Sequence, residues 1–328
     1  MKYRKLGKSE LNISTVALGC WPFSGGELWG DQEQREIDKI VGASIDAGIN
    51  LFDTAEGYEG SEVRLAAALG PRRKEVVIAS KVNAPGTREK VRAACEGSLR
   101  RLQTDYIDVY QIHWPRGNEY LDETLGEFEK LKDEGKIRVS AVSNYGPLDL
   151  TDALNISRVD SNQLLYSMLT RMIEDDVVPK CMEHQVSILC YSPLTQGLLT
   201  GKWKTADEVP PPRARSRLYS SSHSATLHHE NGCEKEVFAA LEKIREICVA
   251  IGQPMATVAL AWCIHKPGIT SVLAGARSPE QVQTNADAGD LVLSDDTIRA
   301  LDEATEPVKA KLVPNLDVLL DSAKSRIR

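Results

Sequence analysis

The chain has 328 residues, 42% of them apolar, enough for one large core or two small ones. Its formal charge is −7 and its pI is near 5.5, which removes the electrostatic case for nucleic acid or an anionic membrane surface as a partner. No apolar run is long enough to span a membrane. The first seven residues, Met1 to Gly7, lack the apolar region of a secretory leader. The seven cysteines are scattered without a CxxC pair and read as reduced core thiols, so a cytoplasmic protein is expected.

In chain order, residues 2–14 read as a short hairpin turning near Gly7 and Lys8, and residues 15–19 as the first buried strand. A helix follows with Ile37, Ile40, Val41, Ser44, Ile45 and Gly48 on one face, with Asp31 and Gln34 as its expected capping box. Residues 49–53 form the second strand. A helix over 61–69 leads to a third strand at 76–81. The next helix places Val91, Ala94, Cys95, Leu99 and Leu102 on one stripe behind a cap at Thr87. A fourth strand spans 106–113, and a helix near 120–134 stops at Gly135. Strands at 137–143, 159–163 and 187–191 alternate with helices near 147–154 and 174–184. Two helices near 234–251 and 254–265 precede an eighth strand at 269–274, and two more cover 278–288 and 294–304.

Eight short apolar strands alternating with amphipathic helices predict a parallel sheet. At this repeat length, a closed (β/α)8 TIM barrel over 1–328 fits better than an open doubly wound sheet. The hairpin and the last helices are then additions to an α/β barrel. No composition break divides the chain. The segment 203–232, with three consecutive prolines and Arg213, Arg215 and Arg217, reads as a long loop inserted after strand seven, in the manner of a flap. Residues 306–328 form a basic tail of unassigned role.

In such barrels the carboxyl ends of the strands carry the chemistry. Asp53, Lys81 and His113 fall at the ends of strands two, three and four, and Tyr58 lies five residues beyond Asp53. A phenol ordinarily titrates near pH 10, too high for easy proton transfer at neutrality. An adjacent ammonium held by a buried carboxylate lowers that value. Tyr58 beside Lys81, itself paired to Asp53, is therefore expected to act as a tuned general acid, with His113 orienting a substrate oxygen. No nucleophile and no metal-ligand spacing accompanies them; His228 and His229 are adjacent loop residues. A proton donor of this kind suits addition of hydride and proton to a carbonyl.

These residues lie in blocks that resemble the aldo-keto reductase family from about residue 2 to residue 305. The blocks are Asp53-Thr54-Ala55-Glu56 with Tyr58, Ser61 and Glu62; Asp105 through Pro115; Gly135 through Tyr145; Tyr191 through Leu194 with Gly197 through Lys202; and Gly275 through Gln281 with Asn285. The resemblance implies a catalytic tetrad of Asp53, Tyr58, Lys81 and His113, with NADPH as hydride source. The GxGxxG fingerprint of Rossmann folds is absent after the first strand, so the residues alone do not call for a dinucleotide. By resemblance, Ser143, Asn144 and Gln163 hold the nicotinamide carboxamide and Tyr191 stacks under the ring. Ser192, Leu194, Gly197 and Lys202 contact the pyrophosphate, and Gly275, Arg277, Gln281 and Asn285 hold the adenosine end.

The sequence departs from the family at three places. Only Glu59 and Gly60 separate Tyr58 from Ser61, Ala141 stands where the family usually has glycine, and Thr284 precedes Asn285 where an acid is common. A small-molecule carbonyl is the expected partner, with Trp21 and Trp114, and also Trp29, as candidate pocket walls. The family's potassium-channel β-subunits share the pattern. They leave open an alternative in which the barrel binds NADPH as a regulatory or redox-sensing subunit with little turnover.

Overall fold

The computed structural model describes residues 1–117 and 119–328. A two-stranded antiparallel hairpin, β1 (Tyr3–Lys5) and β2 (Asn12–Ser14), precedes eight barrel strands. These are β3 (Val16–Gly19), β4 (Leu51–Asp53), β5 (Val77–Val82), β6 (Ile107–Ile112), β7 (Ile137–Ser143), β8 (Ser161–Leu165), β9 (Ser187–Tyr191) and β10 (Ile269–Ala274). They pair in parallel in chain order, and β10 closes on β3. The expected barrel is therefore the observed one.

Side chains alternate across each strand, and only one set faces the interior. Ala17, Leu51, Val77, Ala79, Val109, Val139, Ala141, Leu189 and Leu273 make up that inner cluster. Leu6, Leu11 and Ile13 of the hairpin join the same cluster and plug the amino-terminal end of the barrel. The hairpin turn is fixed there by hydrogen bonds from the Gly7 amide to Ser187 Oγ (2.8 Å) and from the Lys8 amide to Asp160 (3.0 Å). The opposite set, including Phe52, Ile78, Tyr110 and Val142, packs against the surrounding helices.

Those helices are α1 (Gly26–Trp29), α2 (Gln34–Asp46), α3 (Ser61–Leu69), α4 (Arg88–Leu102), α5 (Leu121–Asp133), α6 (Pro147–Ile156), α7 (Val177–Glu183), α8 (Glu234–Ala250), α9 (Met255–His265), α10 (Pro279–Asp287) and α11 (Asp295–Leu312). The capping box of α2 differs from the expected one. It is Glu33 with Glu36, each accepting from the other's backbone amide, because the helix begins at Gln34 and leaves Asp31 in the loop. Helix α11 runs eight residues past its expected end at residue 304. Its buried stripe of Leu301, Ala304, Val308 and Leu312 carries it through Pro307. The strand expected at 159–163 is displaced to Ser161–Leu165.

Segment 203–232 contains two short 3-10 turns and buries Val209, Ala214, Leu218 and Tyr219. Arg217 ties it to the chain's last stretch, donating to the carbonyls of Leu312 (3.1 Å) and Asn315 (3.2 Å) and pairing with Glu230 (2.8 Å). The tail returns across the barrel mouth, where Val318 and Leu319 line the cleft. All seven cysteines are buried free thiols. Among the described residues no single helix is long and apolar enough to cross a membrane; α8 and α9 reach that length and composition only together, across a 96° bend, and α9 is almost wholly buried.

Candidate active site

The alternation that fills the barrel with aliphatic side chains also builds the site. Two residues beyond Leu51 on β4 comes Asp53, and two beyond Ala79 on β5 comes Lys81. Two beyond Val109 comes Gln111, followed by His113 just past the strand. Two beyond Ala141 comes Ser143 on β7, and two beyond Leu189 comes Tyr191 on β9. One layer above the apolar interior the lining turns polar, at the carboxyl ends where such barrels are open.

Lys81 is fully buried, and its Nζ donates to Asp53 Oδ1 at 2.6 Å and to the Thr54 carbonyl at 2.7 Å. Asp53 Oδ2 accepts from Gln163 Nε2 at 2.7 Å and from Gln111 Nε2 at 3.2 Å. A buried carboxylate needs this much company, since an unpaired one is costly. The Lys81 ammonium lies 4.9 Å from the centre of the Tyr58 ring, and the His113 ring meets Tyr58 edge-on at 5.6 Å. The four residues expected at the strand exits are thus brought together.

The electrostatics differ from expectation in one respect. Burial, and then the Asp53 charge, push the Tyr58 phenol well above its ordinary pKa, where the Lys81 ammonium was expected to hold it below. Burial also lowers Lys81, with Asp53 opposing that shift. Burial and the Lys81 charge hold His113 down to about 3. At neutral pH the site therefore presents a protonated phenol and a neutral imidazole.

Aromatic rings continue the wall. Trp21 stacks on Tyr58 at 5.5 Å with planes 18° apart, and Trp29 meets Trp21 edge-on at 5.4 Å. Trp114 lies beside His113 and carries the Arg326 guanidinium 3.8 Å above its ring. The cavity so enclosed has a volume of about 530 Å³.

Every other expected site residue has a definite place. Ser143 Oγ donates to the Gln163 carbonyl (2.9 Å), Asn144 Nδ2 to the His113 carbonyl (3.0 Å), and the Tyr191 hydroxyl to Asn144 Oδ1 (2.8 Å). Ser192, Leu194 and Gly197 follow around the rim. Gly197 has φ +99°, and a β-carbon there would meet Lys202 Nζ at 3.4 Å and an Arg213 nitrogen at 3.5 Å. Gly275, Gln281 and Asn285 lie at the far end, where Asn285 Nδ2 donates to the Gly275 carbonyl (3.2 Å). Arg277 donates to the carbonyls of Trp29, Gly30 and Asp31, so it clamps the loop after β3 as well as facing the cleft. Ala141 sits in the inner cluster directly below Ser143.

Two motif residues turn out to be structural. Glu62 accepts from Ser80 and Arg101, each at 2.6 Å, and Ser61 bonds to Thr54 (2.9 Å) and to the Cys20 carbonyl (2.8 Å). Glu62 thus ties α3 to β5 and α4, and Ser61 ties its first residue to the segments that follow β3 and β4. Gln111 is a site residue that the sequence reading missed. Its place two residues before His113, on the same strand face, was the available signal.

The mouth of the parallel barrel thus holds a buried Lys81–Asp53 pair beside the Tyr58 phenol and the His113 imidazole, in a pocket with tryptophan walls. The profile of the aldo/keto reductase family matches residues 15–306. The chain is 33% identical to an NADH-specific methylglyoxal reductase of Escherichia coli, covering 94% of this chain and all of that one. It is 28% identical to a probable voltage-gated potassium channel subunit beta of Arabidopsis thaliana, covering 89% of this chain and 92% of the relative. The crystal structure of an aldo-keto reductase from Klebsiella pneumoniae in complex with NADPH superposes with TM-score 0.73 at 30% identity, over 92% of this chain and 95% of that one. This chain belongs to the aldo/keto reductase family.

Proposed function

We propose that the protein reduces aldehydes or ketones with NADPH, with Tyr58 as general acid, His113 orienting the carbonyl, and Lys81 and Asp53 holding the Tyr58 surroundings in place. The observation that carries this reading is the Tyr58 phenol ring, packed by Trp21 and His113 beside the buried Lys81–Asp53 pair. When bound, the reduced nicotinamide supplies hydride to the carbonyl carbon. The residues supply the rest. The Tyr58 hydroxyl gives its proton to the carbonyl oxygen as negative charge develops there. Neutral His113 offers an N–H to the same oxygen without competing as an acid, because its conjugate acid is held down to about 3. The tryptophans exclude water and strengthen both contacts.

The cleft suits a dinucleotide phosphate. Of the ionised side chains lining it, Lys202, Arg213, Arg215 and Arg277 are cations and Asp53 is the carboxylate, in a chain of net charge −7. Gly197 leaves room between Lys202 and Arg213 for an anion to approach both. Ser143, Asn144 and Gln163 gather amide-compatible groups at the other end, where the Tyr191 hydroxyl donates to Asn144. The proposed pyrophosphate side is thus Ser192, Leu194, Gly197 and Lys202, joined by Arg213. The proposed adenosine side is Gly275, Arg277, Gln281 and Asn285.

Arg277 supports a preference for NADPH over NADH. Its hydrogen bonds go to carbonyls, among the described residues no carboxylate pairs with it, and it stands just before α10. One charge-assisted contact to a ribose phosphate is worth about 1.5–3 kcal/mol, or roughly ten- to a hundredfold in affinity. Titrating both cofactors into wild type and Arg277→Ala is expected to show NADPH favoured by that factor and the preference shrinking in the variant. Equal affinities in the wild type, or equal losses of both cofactors in the variant, would remove Arg277 from this role. Wild-type turnover of simple aldehydes with NADPH tests the activity itself.

A further inference from the structure

The layer that carries Asp53 and Lys81 also holds two buried glutamines, and they differ in what they face. Gln163 and Asp53 line the cavity, whereas Gln111 is fully buried below that lining, two residues past Val109 on β6. In register, Gln111 stands beside Lys81 of β5 on one side and Ala141 of β7 on the other. Ala141 ends at its β-carbon. Across it the Gln111 side chain meets Gln163 from β8, one strand further round, where a longer residue would part them.

A carboxylate only accepts, so both side-chain amides turn their Nε2 to Asp53 Oδ2, Gln163 at 2.7 Å and Gln111 at 3.2 Å. Gln111 Oε1 is then placed to accept the second hydrogen of Gln163 Nε2, at 3.4 Å. The three groups close a ring of hydrogen bonds, while Asp53 Oδ1 is held by Lys81. The free end of Gln163 is its Oε1. Among the described residues none donates to that oxygen, and a cavity group that bonds it must be a donor. A buried donor left unbonded is costly, so an amide with one hydrogen unpaired gains by turning over or swinging away. Gln111 removes that gain, and its own Nε2 helps to fix the carboxylate plane that faces Lys81. A methionine of similar length would fill the same space and do neither.

We propose that Gln111 is a positioning residue, which locks the Gln163 amide with its oxygen toward the cavity and ties whatever that oxygen holds to the Asp53–Lys81 pair. The inference rests on the carbonyl-reductase reading above, in which a cofactor carboxamide lies at Gln163. Gln111 itself touches neither cofactor nor substrate; it acts through Gln163 and Asp53.

The test measures binding of NADP+ and of its acetylpyridine analogue, in which a methyl group replaces the carboxamide NH2 and cannot donate. Both are titrated by quenching of tryptophan fluorescence into wild type, Gln111→Met, Gln163→Met and the double variant, with no carbonyl present. Wild type is expected to prefer NADP+ by about tenfold, the effect of leaving Gln163 Oε1 against a methyl group. Gln111→Met is expected to bring that preference to within about threefold of unity, and to change it no further in the Gln163→Met background, where the amide it acts through is gone. With an aldehyde and saturating NADPH, Gln111→Met should lower kcat and leave the aldehyde KM in place. Equal affinities in wild type overturn the proposal, and that comparison stands even if no variant folds. A preference left intact by Gln111→Met, a further change in the Gln163→Met background, or a rate loss lying wholly in the aldehyde KM also overturns it. If both dinucleotides bind and no carbonyl is turned over, the reductase reading fails, and the affinity ratios still decide for or against Gln111. If neither dinucleotide binds, the cofactor reading fails and this proposal falls with it.

Discussion

Tyr58→Phe is expected to cut carbonyl reduction by about 10²–10⁴-fold while leaving NADPH binding intact. Phenylalanine keeps the ring that Trp21 and His113 pack against and removes the one phenolic proton above Lys81. The variant should therefore fold as wild type does, so the effect falls on the chemical step. The pH dependence follows from the same burial. A phenol raised well above its ordinary value keeps its proton across the neutral and mildly alkaline range. Reduction, which consumes that proton, should be flat there and decline only as pH rises through the elevated pKa. His113, held down to about 3, contributes no loss between neutrality and mild acid. A deuterated nicotinamide identifies whether hydride transfer limits the rate. If it does and Tyr58→Phe still retains more than half of wild-type turnover, Tyr58 is not the acid.

Lys81→Met carries the second large effect, on rate and stability together. Lys81 is fully buried and bonded to Asp53 at 2.6 Å and to the Thr54 carbonyl at 2.7 Å. Removing one member of a buried pair costs about 3–5 kcal/mol, because the remaining charge is left without its partner. Here Gln111 and Gln163 still donate to Asp53, which places the expected loss toward the lower part of that range. Turnover should fall as well, because the ammonium beside the Tyr58 ring stabilises the phenolate left after proton transfer. Denaturant melts of Lys81→Met, Asp53→Asn and the double variant separate the two contributions. The double variant should recover part of the lost stability, having no orphaned carboxylate, while remaining slow. An unchanged melt and pH–rate profile for Lys81→Met would remove it from the site.

The strand order, the closed barrel and the positions of Asp53, Lys81 and His113 were legible because they depend on local pattern. A short apolar run ending in a polar residue marks both a buried barrel strand and its mouth. Gln111 was less visible, since a glutamine within a strand looks the same whether it faces Asp53 or a helix. The capping box of α2 slipped by two residues because Asp31, Glu33, Gln34 and Glu36 all satisfy the pattern, and only the observed helix start selects among them. What the sequence hid was non-local. That Arg217 would hold the tail, that Arg326 would cover Trp114, and that Arg215 would face the cleft with a buried, unbonded Nε depends on the folded arrangement, the first two on contacts between residues far apart in the chain. The Tyr58 shift was misjudged for a related reason. The sequence names the nearby ammonium, whereas the depth of burial that outweighs it is set by the surrounding tryptophans and loops.

The central claim is that this barrel turns over carbonyl substrates, in place of binding NADPH as a sensing subunit. The measurement that tests it most directly is the amount of NADPH oxidised per protein molecule with a panel of aldehydes in excess, followed by the absorbance of the reduced nicotinamide. Continuous oxidation over many equivalents, nearly abolished in Tyr58→Phe, is the predicted result. A single stoichiometric burst that then stops for every carbonyl tried, or steady turnover indifferent to Tyr58, would contradict it.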